Sequence, residues 1–199
     1  LHNLVRQFAN EKLVEEPEKL ERATHHHALF YLSWLGEQYS LLLRDQQLLV
    51  LDSIAVEMEN VRAAWRWAIE NQDEDALERA VDGLALFLEM RSWYVEGQRI
   101  FADLAAASKD AFAKLLPVAL SYQAVFEVQL GNYAKALALI EQALPMLQGG
   151  RLGYAWMVRG RALLDLQDYK ATQDALDKAL YLSRESGRVD VEAMALLLQ

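Results

Sequence analysis

Apolar residues recur at helical spacing along almost the whole chain, and no alternation typical of a strand extends beyond a few residues. Short polar turns divide this pattern, so the sequence predicts an all-α protein made of consecutive helices. The expected helices cover residues 18–43, 46–70, 74–90, 93–107, 110–130, 133–147, 152–166 and 169–184, with a last one from about Asp190. Pro17 stands where a proline commonly opens a helix, after an apolar stripe within residues 1–16.

Turn signals indicate where these helices end. Asp73 is expected to cap the helix that follows it. Gly131 and Asn132 form the clearest junction, because glycine tolerates the left-handed conformation after a helix and asparagine can cap the next one. The glycine-rich residues 149–153 follow a predicted helix and not a strand, so they are interpreted as a flexible turn and not as a phosphate-binding loop.

The last two complete helix pairs repeat each other at a fixed offset of 36 residues. The matched residues are Asn132 with Asp168, Tyr133 with Tyr169, Ala143 with Ala179, and Leu144 with Leu180. Within a pair, bulky Trp156 is followed four places on by Gly160. A small residue at such a position lets a neighbouring helix approach closely. Repetition at this period predicts a solenoid of stacked helix pairs.

These helix pairs resemble tetratricopeptide repeats. The resemblance implies a right-handed superhelix of antiparallel helix pairs, with about two and a half repeats between Glu74 and Gln199. Apolar residues cover most of the circumference of the helix expected at 110–130, as an inner helix between neighbours requires. The inner helices of such a superhelix line a concave groove. By repeat phase, the groove residues are Ser121, Val125, Val128, Gln129, Tyr154, Met157, Arg161 and Asp165. The alternative is a groove that is merely solvated.

Composition and charge exclude several functions. The chain has no cysteine, which excludes disulfides, thiolate metal sites and a cysteine nucleophile. Its formal net charge of −9 opposes binding to nucleic-acid phosphates. No apolar run is long enough to span a membrane, and the first residues lack the apolar core of a signal peptide. We therefore expect a cytoplasmic segment that binds neither nucleic acid nor membrane.

Two stretches resemble parts of the bacterial STAND regulators, signal-transduction ATPases that include maltose-regulator-like and antibiotic-regulator-like transcription factors. Residues 1–13, LHNLVRQFANEKL, are similar to the end of the winged-helix domain that follows the ATPase core. Residues 51–52 and 57–68, LD and EMENVRAAWRWA, are similar to the helix entering the repeat region, and His26, Ala28 and Tyr31 are similar to the linking helix.

The resemblance implies three regions in a segment of a longer protein. They are the C-terminal end of a winged helix at 1–16, linking helices at 17–72, and tetratricopeptide-like repeats at 73–199 that are truncated at the C-terminus. In that family a histidine of the first motif contacts the phosphates of bound ADP, and the matching residue here is His2. The alternative is an ordinary terminal histidine. ATP or ADP would bind in the parent's core, so we expect no cofactor in this segment.

The function implied is that of a sensor. A protein or small-molecule inducer in the concave groove would control the upstream nucleotide switch and the oligomerisation of the parent, through its different affinities for the two states. The alternative is a stand-alone tetratricopeptide scaffold for protein–protein interaction. A helical enzyme domain is the third class, but the sequence offers no convergent catalytic residues, so we expect no enzymatic activity in this segment.

Other residue clusters have simpler interpretations. His25, His26 and His27 are adjacent on a helix and point about 100° apart, so they cannot converge on one metal ion, and no metal site is expected. Glu57, Glu59 and Arg62 are interpreted as a salt-bridged helix face and not as an acid–base cluster. An aromatic ligand cage is conceivable, but tryptophans at helical spacing are usually core. Its members would be Trp65, Trp67, Trp93 and Trp156.

Overall fold

The computed structural model describes residues 16–108 and 112–199, and the regular structure of these residues is helical throughout. The α-helices are α1 Pro17–Leu42, α2 Gln47–Glu70, α3 Glu74–Met90, α4 Tyr94–Ser108, α5 Leu116–Gln129, α6 Tyr133–Ala143, α7 Gly149–Asp165, α8 Tyr169–Ser186 and α9 Val189–Leu197, with a short 3₁₀ helix at Leu144–Met146. The prediction of an all-α protein is confirmed. Within the described ranges, no helix is long and apolar enough to cross a membrane. His2 and the similarity over residues 1–13 lie outside them.

The chain forms two compact units. The first ends at Leu84 and the second comprises Ala85–Gln199, so the division falls within α3. The three regions expected at 1–16, 17–72 and 73–199 stay predictions. In the first unit α1 packs against α2. Two glycines let α1 and α3 approach closely, because a Cβ at Gly36 would overlap the carbonyl oxygen of Arg79 and a Cβ at Gly83 that of Leu35.

Most of the buried residues of α1 and α2 in the first unit are aliphatic. The buried residues of α1 are Ala28, Leu32, Leu35, Gln38 and Leu42, which recur at helical spacing. Those of α2 are Val50, Leu51, Ile54, Met58, Val61, Ala64, Trp65 and Ala68. The aromatic residues of α1 do not belong to this stripe: Tyr31 and Trp34 are half-buried and Phe30 is 63% exposed.

In the second unit each helix from α4 to α9 packs against the next, and α7 also contacts α5 and α9. Helix α5 is buried on all sides from Pro117 to Val128, as its all-round apolar sequence predicts for an inner helix. Phe101 of α4 stacks on Phe126 of α5 with ring centroids 5.7 Å apart. Gly97 makes room for this pair, because a Cβ there would lie 2.5 Å from the Phe126 ring.

The same turn recurs at five helix ends. A residue in the left-handed conformation follows each helix, and these residues are Gln72, Ser92, Gly131, Gln167 and Gly187. At each, the next residue's N–H bonds to the carbonyl five residues before it, and the left-handed residue's N–H to the carbonyl three before it, which is the Schellman motif. After Ser92, Gly131 and Gln167 a tyrosine opens the next helix two residues on, so part of the sequence repeat is a repeat of this junction.

Several predicted boundaries were wrong, each for a local reason. Helix α5 begins at Leu116 and not near 110, since Pro117 fits only the first turn of a helix. Helix α6 ends at Ala143 ahead of Pro145. The glycine-rich residues 149–153 are not a flexible turn but the first residues of α7, and their small size admits α8: a Cβ at Gly153 would lie 3.2 Å from Leu182.

The predicted caps had mixed outcomes. Asp73 accepts a hydrogen bond from the backbone N–H of Ala76 at 2.9 Å, so this cap is confirmed. Asn132 occupies the N-cap position of α6, but its side chain donates to Glu127 at 2.7 Å and caps no backbone N–H. Asp190 lies in the first turn of α9 and not at its N-cap, which is Arg188.

Candidate functional site

The eight residues predicted to line a groove lie on the neighbouring helices α5 and α7 of the second unit. Ser121, Val125, Val128 and Met157 are buried, Gln129, Tyr154 and Arg161 are half-buried, and Asp165 is exposed. The Ser121 hydroxyl donates to the carbonyl of Pro117 at 2.8 Å, a local bond within α5. The half-buried Gln129, Tyr154 and Arg161 and the exposed Asp165 therefore supply most of the polar surface that another molecule could reach.

Two narrow crevices bring most of these residues together. The first, which we call the α5–α7 crevice, has a free volume of about 10 Å³ and is lined by Glu89, Val125, Val128, Tyr154, Met157, Val158, Arg161 and Met194. The second has a free volume of about 10 Å³ as well and is lined by Val118, Ser121, Tyr122, Leu147, Arg151, Tyr154 and Arg188. Tyr154 lines both, and its ring packs 5.4 Å from that of Tyr122. Asp165 lines neither of them.

A chain of polar side chains crosses three helices at the α5–α7 crevice. Arg161 of α7 donates from Nη2 to Oε1 of Gln129 at 3.2 Å. Gln129, at the end of α5, donates from Nε2 to Oε1 of Glu89 at 3.5 Å. Because Gln129 passes a hydrogen bond from one side to the other, it links the positive Arg161 to the negative Glu89. Gln129 accepts only one of the five N–H donors that a guanidinium carries.

Burial has the largest effect on the pKa of Glu89. It raises the pKa of the Glu89 carboxyl, and the charge of Arg161 and the hydrogen bond from Gln129 lower it only part of the way back. A carboxyl whose charged form is disfavoured in this way gains from any added positive or hydrogen-bonding group. Taken together, the crevice offers a guanidinium, a carboxyl whose charged form is disfavoured by burial, and the flexible apolar side chains of Met157 and Met194.

Sequence reasoning missed several residues of the two crevices. Glu89 and Met194 come from α3 and α9, which the repeat phase of α5 and α7 does not address. Arg151 lies in the glycine-rich stretch that was interpreted as a turn, and Arg188 precedes α9. The order of the helices along the chain could have indicated them, because the helices on either side of an inner helix also contribute side chains to the surface beside it.

The other clusters have separate structural roles. His25 stacks on Trp67 with centroids 5.2 Å apart, and His27 lies 3.4 Å from Asn60, so these two histidines face different neighbours. Glu59 pairs with Arg62 at 2.5 Å, as expected of a salt-bridged face, whereas Glu57 accepts hydrogen bonds from Tyr31 and Asn60.

The tryptophans also have distinct surroundings. Trp65 is buried in the first unit. In the second unit Trp93 packs on Phe87 with ring centroids 5.4 Å apart, whereas Trp156 lies under Lys178, whose Nζ is 4.1 Å from the ring. The proposed members of an aromatic cage therefore each have their own neighbours.

The chain is therefore all-α, with helix junctions that recur. Between neighbouring helices it has a cleft that is lined by both polar and apolar side chains. Such a cleft can bind a ligand through hydrogen bonds, charge and apolar contact. Comparisons of the chain with models of protein families, with curated proteins and with solved structures found no match.

Proposed function

We propose that the second unit binds a small-molecule inducer or a partner segment at the α5–α7 crevice. The observation that carries this proposal is the polar chain of Glu89, Gln129 and Arg161 at a cleft that Tyr154 and Met157 make partly apolar. Each of these polar side chains depends on the others for its hydrogen bonds, so their positions are fixed relative to one another. Fixed polar groups of this kind give a cleft chemical selectivity. An acceptor-bearing group would meet Arg161, and its apolar part would meet the methionines.

The architecture that would display this cleft is a right-handed superhelix of antiparallel, tetratricopeptide-like helix pairs. Its support is the recurring left-handed turn, together with the close packing at Gly160, where a Cβ would lie 2.7 Å from Leu176 of the next helix. Gly160 was singled out in the sequence because this repeat type needs a small residue there. In that architecture the crevice would lie on the concave side, which the inner helices line.

The wider role proposed is that of the sensor segment of a STAND-type regulator. Binding in the groove would shift the parent between an ADP-held resting state and an oligomerising state, which requires a different affinity for each. His2 would contact the nucleotide of the full-length parent. The nucleotide sequence on both sides of this coding region tests the role: a P-loop core and a winged helix encoded upstream support it. Their absence leaves the alternative, a stand-alone scaffold for protein–protein interaction.

The crevice itself is tested by thermal unfolding of the chain in the presence of a panel of sugars, amino acids, nucleotides and short acidic peptides. A ligand that binds only the folded state raises the melting temperature in proportion to its occupancy. We expect a positive compound whose effect is lost in Arg161→Gln. The matched control is Arg159→Gln on the same helix, whose guanidinium lies over Trp156 and 3.9 Å from Glu141. A shift that survives Arg161→Gln would move the site elsewhere.

A further inference from the structure

A second surface, in the first unit, has the features of a docking groove. It lies between α1 and α2, has a free volume of about 670 Å³, and is lined by Phe30, Tyr31, Trp34, Leu49, Asp52, Ser53, Val56 and Glu57. We call it the α1–α2 groove. Its residues recur at helical spacing on both helices, so each helix contributes one continuous stripe.

The groove has an apolar floor that reaches solvent. Phe30 is 63% exposed, Leu49 69% and Val56 80%. Single exposed apolar side chains are ordinary on a protein surface, but a contiguous set on two facing helices marks an interaction surface. The aromatic wall on α1 is ordered by edge-to-face contacts, with Phe30 and Trp34 on either side of Tyr31. A preformed wall of this kind lowers the entropy lost on binding.

The groove is lined by two charged residues, Asp52 and Glu57, and both are acidic. Glu57 is held in place, since its Oε2 accepts hydrogen bonds from the Tyr31 hydroxyl at 2.9 Å and from Nδ2 of Asn60 at 2.6 Å. Burial and the neighbouring Glu57 raise the pKa of Tyr31, which keeps its hydroxyl a donor.

The length of the groove fits a short helix. From Leu49 to Glu57 the α2 wall extends over about 12 Å, or roughly two helical turns. An amphipathic helix presents apolar anchors at positions i, i+3, i+4 and i+7 over the same length. Lysine or arginine beside those anchors would meet the carboxylate of Glu57.

We propose that the α1–α2 groove docks a basic amphipathic helix of another protein, its apolar face on Phe30, Leu49 and Val56 and a cation on Glu57. The groove belongs to the first unit and the α5–α7 crevice to the second, so this inference is independent of the proposed function.

The test measures binding of a fluorescent leucine–lysine peptide of about 15 residues, with leucine at the i, i+3, i+4 and i+7 positions, by anisotropy against the whole chain. We expect a dissociation constant in the micromolar range and loss of at least about tenfold in affinity for Val56→Asp and for Leu49→Asp, because each buries a carboxylate in the apolar contact. Both residues are largely exposed, so the fold should be unchanged by circular dichroism.

The control variant is Val95→Asp, which makes the same exchange at a 72% exposed position of the second unit and should bind like the unaltered chain. Equal loss in Val95→Asp, no loss in Val56→Asp, or equal binding of a leucine–glutamate peptide would each overturn the proposal. A chain that dimerises, and that Val56→Asp makes monomeric, would assign the groove to a second copy instead and equally overturn it.

Discussion

Gly83 of α3 lies so close to Leu35 of α1 that a side chain at Gly83 would overlap the Leu35 carbonyl oxygen. The obstruction is backbone and cannot rotate away, so the two helices would have to separate. We expect Gly83→Ala to lower the free energy of unfolding by at least about 2 kcal/mol, although alanine is the better helix former by roughly 1 kcal/mol. Urea unfolding measures the change.

The control for this prediction is Gly153→Ala, another glycine within a helix. A Cβ there would lie 3.2 Å from the Leu182 side chain and 3.3 Å from the backbone nitrogen of Ser183, a contact that small shifts can relieve. We expect its effect to stay within about 1 kcal/mol of zero. Equal losses in the two variants would contradict the backbone overlap as the cause.

The left-handed turns predict stabilising substitutions. Gln167 has φ of 63° in the turn between α7 and α8, a conformation that costs an L-residue about 1 kcal/mol more than glycine. We expect Gln167→Gly to raise the free energy of unfolding by about 0.5–1 kcal/mol. The same exchange at exposed Gln173 inside α8 should lower it by about 1 kcal/mol. Opposite signs in chemical denaturation confirm the turn; equal signs refute it.

Helix number and most helix limits could be predicted from sequence because they depend on local signals. Asp73 caps and Gly131 takes a left-handed conformation, and both effects act within a few residues. The wrong helix limits arose where a proline or a glycine was interpreted without the helices that pack against it. Pro117 starts a helix that was drawn through it, and Gly153 serves the approach of α8 and not a turn.

Which face of a helix is buried was harder to predict. On α1 aliphatic Leu32 and Leu35 are fully buried, whereas the larger Phe30 stays exposed. When a helix has apolar residues on two faces, the size of the side chains does not show which face is buried. Glu89 was missed for a related reason: the phase of one repeat does not show what the helix before it contributes.

Asp190 and Arg188 make the junction before α9 sensitive to acid. Burial acts to raise the pKa of Asp190, but two hydrogen bonds and the charge of Arg188 outweigh it and hold that pKa below its usual range. The pair therefore stabilises the fold fully above the unfolded pKa of about 3.9, and this stability is lost as the pH falls through the folded pKa.

Asp190→Asn should consequently unfold more easily than the unaltered chain at pH 7, by about 1 kcal/mol. The difference should close as the pH is lowered toward about 2, where the aspartate is protonated too. Thermal unfolding across this pH range measures it, with Asp174→Asn on the exposed face of α8 as control. A difference that is constant with pH would show that the ion pair is not responsible.

Glu89 should give the opposite pH dependence. Its raised pKa means that the folded chain holds a proton more tightly than the unfolded chain, so stability is fullest below the unfolded pKa of about 4.3 and falls as the pH rises through the folded pKa. Glu89→Gln removes the disfavoured charge and keeps the shape. Its melting temperature should exceed that of the unaltered chain at pH 8 and approach it near pH 4.

Arg161 provides the check on this interpretation, because its charge lowers the pKa of Glu89 and so limits the loss of stability at neutral pH. Arg161→Gln alone should lower the melting temperature at pH 8 by more than at pH 4. Combined with Glu89→Gln, the same exchange should have a much smaller effect at pH 8, since no carboxylate is left unpaired. Additive effects of the two substitutions at pH 8 would mean that Glu89 and Arg161 do not interact across the crevice.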